Sequence, residues 1–194
     1  MRTLQLENPV LAEVTPPAVE LDGLVALFYP EMGNLGEFER CAAEDCPDAY
    51  RSLLAHEAHM TVTVEGRHQC SVNVEVLQNR TTDTHYLREI LLRRSSDGRV
   101  VQYGIVRLAL SALQPVVRDE IMAQKTPLGR VLIQHGVLRR VQLNAVWQVT
   151  FGRELVKHFS DTASHQSYGR TALIYCDGEP AVELLEIVAP EDSF

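Results

Sequence analysis

The pattern of apolar and polar positions switches between a period of two and a helical period several times along this chain. His85–Leu92 reads His-Tyr-Leu-Arg-Glu-Ile-Leu-Leu, and Ser95-Ser96-Asp97-Gly98 is a turn signal into a second apolar run, Arg99–Leu110. Residues 85–94 and 99–110 therefore read as two hairpin-connected strands. Because side chains alternate along a strand, Arg88 shares a face with Ile90 and Leu92, while Glu89, Leu91 and Arg93 take the other. An arginine in an apolar row is costly unless an anion meets it.

Elsewhere, Leu21–Tyr29 is apolar enough for a short helix ended by Pro30, and a more polar stretch runs through Cys46. Pro47-Asp48 opens a helix carrying Tyr50, Leu53 and Leu54 toward Ala58. From Thr61 the period reads as two: Val62 and Val64 alternate with threonines, and Val72, Val74 and Val76 resume after Glu65-Gly66, predicting strands. Helices are predicted from Pro115 to Gln124 and from Thr126-Pro127 to His135-Gly136. Val137–Val149 reads as a strand, Glu154–Phe159 as a short helix, and 170–175 with 181–188 as a closing hairpin. Strands with short connections, punctuated by helices, predict an antiparallel α+β domain. It is expected over residues 47–194, with residues 1–46 as an arm and short helix packed on it.

Composition narrows the function. The chain has 194 residues, 45% hydrophobic, and a formal net charge of −8, which disfavours nucleic acid as a partner. It has no apolar run long enough to span a bilayer and no signal-peptide pattern, so a cytoplasmic protein without a membrane partner is expected. The four cysteines lack CxxC spacing, which argues against a zinc site or a redox pair.

His56-Glu57-Ala58-His59 falls one residue short of the zinc-protease spacing and reads as surface or packing histidines. Phosphate-binding glycine loops and the GxSxG elbow are absent. Lys125-Thr126-Pro127-Leu128-Gly129-Arg130 is a helix start, either a plain cap or a set of free amides able to hold a carboxylate. Glu186 shares its face with Val182, Leu184 and Val188, whereas Glu183 lies opposite. An acid in an apolar row is either paired, with Arg88 as the candidate, or kept for proton chemistry.

Four stretches together resemble the chorismate pyruvate-lyase family: Met60-Thr61, Tyr86–Leu92, Lys125–Arg130, and the Gly169–Pro190 hairpin with its Gly-Glu-Pro turn. The resemblance covers about residues 47–190. It implies a six-stranded antiparallel sheet with helices on it, and a ligand site buried under helical flaps. It also implies a cofactor-free carbon–oxygen lyase that turns chorismate into 4-hydroxybenzoate and pyruvate, as in ubiquinone biosynthesis; we expect a monomer. By the same resemblance Arg88 grips the ring carboxylate, assisted by the amides of Met60 and Leu128, and Glu186 handles the proton. Some members place the last strand one residue differently, which keeps Glu183 as the alternative. Many members carry Gly-Arg where this chain has Gly104-Ile105, and Arg107, on the same face as Ile105, is the candidate substitute for holding chorismate's second carboxylate. The alternatives are a relative acting on another chorismate-type acid and a non-catalytic small-molecule sensor of the same fold. The sensor reading expects a basic helix-turn-helix in front, and the first 46 residues are acidic and proline-broken.

Overall fold

A computed structural model describes residues 18–190 of the chain, except the side chains of 138 and 139. Among the described residues seven strands form one antiparallel sheet in the order β1-β5-β6-β7-β4-β3-β2. They are β1 (Gly36–Cys41), β2 (Val72–Thr81), β3 (His85–Arg94), β4 (Val100–Ala109), β5 (Leu138–Phe151), β6 (Gln166–Cys176) and β7 (Glu179–Val188). Among the described residues six α-helices accompany them: α1 (Leu21–Val25), α2 (Asp48–Leu54), α3 (Met60–His68), α4 (Pro115–Met122), α5 (Leu128–Gln134) and α6 (Arg153–His158). The α+β class holds, with seven strands where six were expected.

The added strand is β1, which lies in the stretch read as merely polar. Among the described residues Gly-Glu-Phe-Glu-Arg-Cys pairs only with β5, so charges along it face water, as suits a sheet edge. The described part of residues 1–46 packs on the sheet. Besides the β1–β5 pairing, Leu21, Leu24 and Val25 of α1 are buried on the sheet with Tyr103, Leu185 and Ile187. The arm expected over residues 1–18 lies outside the described residues save for Ala18.

The alternation at Thr61–Val64 belongs to a helix, not a strand. Met60, Thr61 and Val64 are buried, a helical spacing, while Val62 is 53% exposed. On a strand Val62 and Val64 would share a face. Packing overrides the β preference of Thr-Val-Thr-Val, and Thr63 turns its hydroxyl back onto the His59 carbonyl at 3.0 Å. The preceding helix, α2, ends at Leu54 rather than near Ala58, leaving residues 55–59 as a loop.

Register assigns the two faces of the sheet. Arg88 pairs with Val106, Val106 with Leu184, and Leu184 with Ala172. The next row on the same face is Ile90, Gly104, Glu186 and Arg170. Apolar residues of α2, α3, α4 and α5 cover this face. The opposite face carries Leu91, Tyr103, Ile105 and Ile187 under α1 and α6, whose Leu24 and Leu155 are fully buried and contribute about 1.5–3 kcal/mol each.

Gly152 is among the glycines required by close approach. A Cβ on Gly152 would sit 2.6 Å from the Asn34 carbonyl oxygen and 2.7 Å from the Leu35 carbonyl carbon, both backbone atoms. Gly152→Ala is expected to destabilise the fold by about 1–3 kcal/mol, read as a fall in the urea midpoint at unchanged slope.

Candidate functional site

Arg88 is 1% exposed, and its Nε and Nη1 are buried with no hydrogen-bond partner. Among the described residues no carboxylate pairs with it. Burial pushes its pKa down, opposed by the nearby Tyr86, whose hydroxyl accepts a 2.9 Å hydrogen bond from Gln124 Nε2. The neighbouring charge, Glu89, shows how a finished buried group looks in this fold. It is 2% exposed on the opposite face and accepts from Tyr103 Oη at 2.6 Å, from Gln78 Nε2 at 2.6 Å and from Tyr29. A carboxylate with three donors is settled structure; a guanidinium with two bare, buried nitrogens is a place for an anion.

Glu186 lies on Arg88's face, one row along and two strands away. It is 8% exposed, and its Oε2 accepts from Arg170 Nε at 2.7 Å. The pairing partner considered from sequence was Arg88. The actual one is Arg170, directly opposite Glu186 in the β6–β7 register. Arg170 is itself 1% exposed and reaches beyond the sheet, donating from Nη1 to the His56 carbonyl at 2.9 Å and from Nη2 to the Ala58 carbonyl at 3.4 Å. One guanidinium thus ties the acid to the loop that leads into α3. The signal for it was available: Arg170 heads the row Arg170, Ala172, Ile174, the same arginine-in-apolar-row pattern that marks Arg88.

A small cavity of about 40 Å³ lies on this face. Met60 and Leu128, the first residues of α3 and α5, line it together with Arg170, Glu186 and Leu184. Amides at first helical positions have no partner within the helix and are free to donate elsewhere. The two helix starts touch: a Cβ on Gly129 would lie 3.1 Å from Thr61 Oγ1. Three of the residues singled out from sequence, Met60, Leu128 and Glu186, therefore meet in one place. Arg88 stands on the row of Leu184 with Val106 between them. The cavity has room for about three waters, whereas an apolar cavity that takes a benzene ring is about 150 Å³, so an aromatic ligand requires the α3 and α5 starts to part.

Arg107 is not in this site. It pairs in register with Leu87 and Glu183 on the opposite face, where its Nη2 donates to the Glu183 carboxylate. Ile105 is on that face too, so neither residue can meet a ligand held by Arg88, and Glu183 is likewise removed from it. A larger cavity, about 160 Å³, lies beside Arg107 and Glu183. Arg107 is paired with Glu183 there, although its Nε is buried without a partner; Arg88 has two such nitrogens and no carboxylate, and we place the site with it.

No protein-family model and no curated protein matches the chain. Among solved structures, it is similar to a possible transcriptional regulator, YydK, from Bacillus subtilis subsp. subtilis str. 168. The two are 13% identical with a TM-score of 0.47, over 63% of this chain and 59% of that one. A likeness this distant assigns no function. No described helix is long and apolar enough to cross a membrane.

The histidines of the 56–59 segment pack against Arg170. His56 Nδ1 accepts the Ala58 amide at 3.1 Å and lies 3.3 Å from Arg170 Nη1, so its proton belongs on Nε2, which is buried without a partner. Burial, and then Arg170, hold both His56 and His59 below the ordinary histidine pKa. Burial, with Arg94 and Arg67, pushes His68 down to about 4. A histidine depressed in the folded state binds fewer protons than in the unfolded chain once pH falls below about 6.5. Stability is therefore expected to be flat above that pH and to decline as pH falls from about 6.5 toward 4. Thermal melts across this range check it, and His68→Gln should flatten the decline.

Proposed function

We propose that this chain is a cofactor-free lyase that converts chorismate to 4-hydroxybenzoate and pyruvate. The observation that carries the reading is Arg88, a fully buried guanidinium whose Nε and Nη1 lack partners, on the face where Met60, Leu128 and Glu186 line one cavity. In this reading Arg88 takes the ring carboxylate by charge-assisted hydrogen bonds, and the Met60 and Leu128 amides add neutral donors. Elimination breaks the ring carbon–oxygen bond to the enolpyruvyl group and removes the proton from the carbon bearing the hydroxyl. The ring becomes aromatic, and the released enol takes a proton to give pyruvate. Glu186 is the proton acceptor: Arg170 fixes its Oε2, while Oε1 has only Gln102 Nε2 nearby, at 3.4 Å. Closure of α3 and α5 over the ring excludes water and holds the reacting geometry, which supplies much of such a barrier reduction.

Arg170 is the candidate partner for chorismate's second carboxylate. With Ile105 and Arg107 on the far face, Arg170 is the second buried cation on the site's own face. Its donors already serve Glu186 and two carbonyls, so a different cyclic acid with one carboxylate also fits the frame. The same engagement of Glu186 favours, as a second reading, a domain that binds an aromatic acid and performs no chemistry on it.

Glu186→Gln separates these. The lyase reading expects 4-hydroxybenzoate to bind this variant with affinity near that of the wild type while pyruvate release from chorismate falls at least 100-fold. Undiminished turnover would remove Glu186 from the chemistry. A wild-type protein that binds the acid and releases no pyruvate would leave the binding-domain reading standing.

A further inference from the structure

Cys41 ends β1, and Cys46 lies five residues on, beyond a short 3-10 turn over Ala43–Asp45. The spacing is not CxxC, and for that reason the sequence argued against a redox pair. The turn nevertheless folds the chain back so that the two sulfurs are 2.9 Å apart. Both thiols are free, and both reach the Ala42 carbonyl, Cys41 at 3.2 Å and Cys46 at 3.5 Å. A disulfide bond of about 2.05 Å needs the sulfurs to close by only ~0.9 Å. We propose that Cys41 and Cys46 are a modification site, a dithiol that a hydroperoxide converts to a reversible intramolecular disulfide.

The two cysteines are unequal in a way that orders the steps. Cys41 is partly exposed, whereas Cys46 is 3% exposed. Burial, and then the Cys41 thiol beside it, push the Cys46 pKa up to about 12. Cys41 is therefore the sulfur that meets the oxidant. Its thiolate attacks one peroxide oxygen, forming a sulfur–oxygen bond and breaking the oxygen–oxygen bond, with hydroxide or alkoxide leaving. The Cys46 sulfur then attacks the Cys41 sulfur. The sulfur–sulfur bond forms, the sulfur–oxygen bond breaks, and the Cys46 proton leaves with the hydroxyl as water. Two electrons pass from the thiols to the peroxide, and any dithiol reductant returns them. Cys70 and Cys176, in contrast, each stand without a second cysteine within bonding reach.

The crosslink closes the turn that enters α2. Tyr50 of that helix packs on Tyr168 with ring centroids 4.6 Å apart, and Tyr168 is two residues from Arg170 on the same face. The modified turn is thus joined through one aromatic contact to the frame of the candidate site.

The test uses the folded full-length chain. Arg40 and Arg51 flank the pair, so trypsin places both cysteines in one peptide, 41–51. Reduced protein is exposed to hydrogen peroxide, blocked with N-ethylmaleimide, digested and weighed. The expected peptide is two hydrogens lighter than its dithiol form and carries no maleimide, and dithiothreitol restores both thiols. In Cys46→Ser, Cys41 should instead stop as a sulfenic acid that dimedone captures. Full maleimide labelling of both Cys41 and Cys46 under conditions that oxidise Cys70 would overturn the proposal. So would a crosslink that forms only when the chain is oxidised in denaturant.

Discussion

Arg88→Met is expected to make the ligand-free protein more stable while abolishing its affinity for aromatic carboxylates. Methionine matches the length of the arginine stem and leaves no buried charge, so the variant sheds the desolvation cost of a guanidinium whose Nε and Nη1 have no partner. Replacing buried charge by an apolar side chain of similar volume commonly gains about 1–3 kcal/mol. For a chain of this size that raises the melting temperature by roughly 2–12 °C. The order should reverse when ligand is added. At 4-hydroxybenzoate concentrations about 100 times the dissociation constant, the wild type gains about 2.7 kcal/mol and the variant gains nothing. Thermal melts of both proteins, with and without the acid, give all four numbers. A lower melting temperature for ligand-free Arg88→Met would mean that the arginine has a structural anion after all.

Arg170→Met should do the opposite. It leaves Glu186 buried with no cation and frees the His56 and Ala58 carbonyls. Breaking one side of a buried ion pair costs about 3–5 kcal/mol, which predicts a fall in melting temperature of roughly 6–20 °C. Removing the stranded acid as well, in Arg170→Met with Glu186→Leu, should recover most of the loss, so that the two changes couple strongly in a double-mutant cycle. If Arg170→Met alone melts within a degree or two of the wild type, Arg170 does not hold the acid and loop in place.

The contrast between these two arginines explains what was legible in the residues. Alternation within β3 put Arg88 in an apolar row, and alternation within β7 put Glu186 rather than Glu183 with Leu184; both hold in the fold. Alternation within β4 also paired Arg107 with Ile105 correctly. It did not say which side of β4 looks toward Arg88, because that is set by register between strands: Arg88 faces Val106, and Arg107 faces Leu87. Arg170 carried the same signature as Arg88 but stands at the start of its apolar run, where a charge reads as a strand end. Two elements were hidden for other reasons. The edge strand β1 has one sheet neighbour and keeps its charges in water, so it lacks the apolar alternation of a central strand. In α3, β-branched residues occupy a helix because Met60, Thr61 and Val64 are buried together. The convergence of α3 and α5 is a tertiary fact, built from a glycine against a threonine, that no local pattern contains.

The proposed lyase takes chorismate on the sheet face that carries Arg88 and Glu186. The most direct measurement is incubation of the purified protein with chorismate, with pyruvate followed by a coupled assay and the aromatic product by chromatography. Pyruvate and 4-hydroxybenzoate are expected in equal amounts, well above the rate without protein, with no product from Arg88→Met. Release of neither compound by a folded wild-type protein that binds 4-hydroxybenzoate would contradict it.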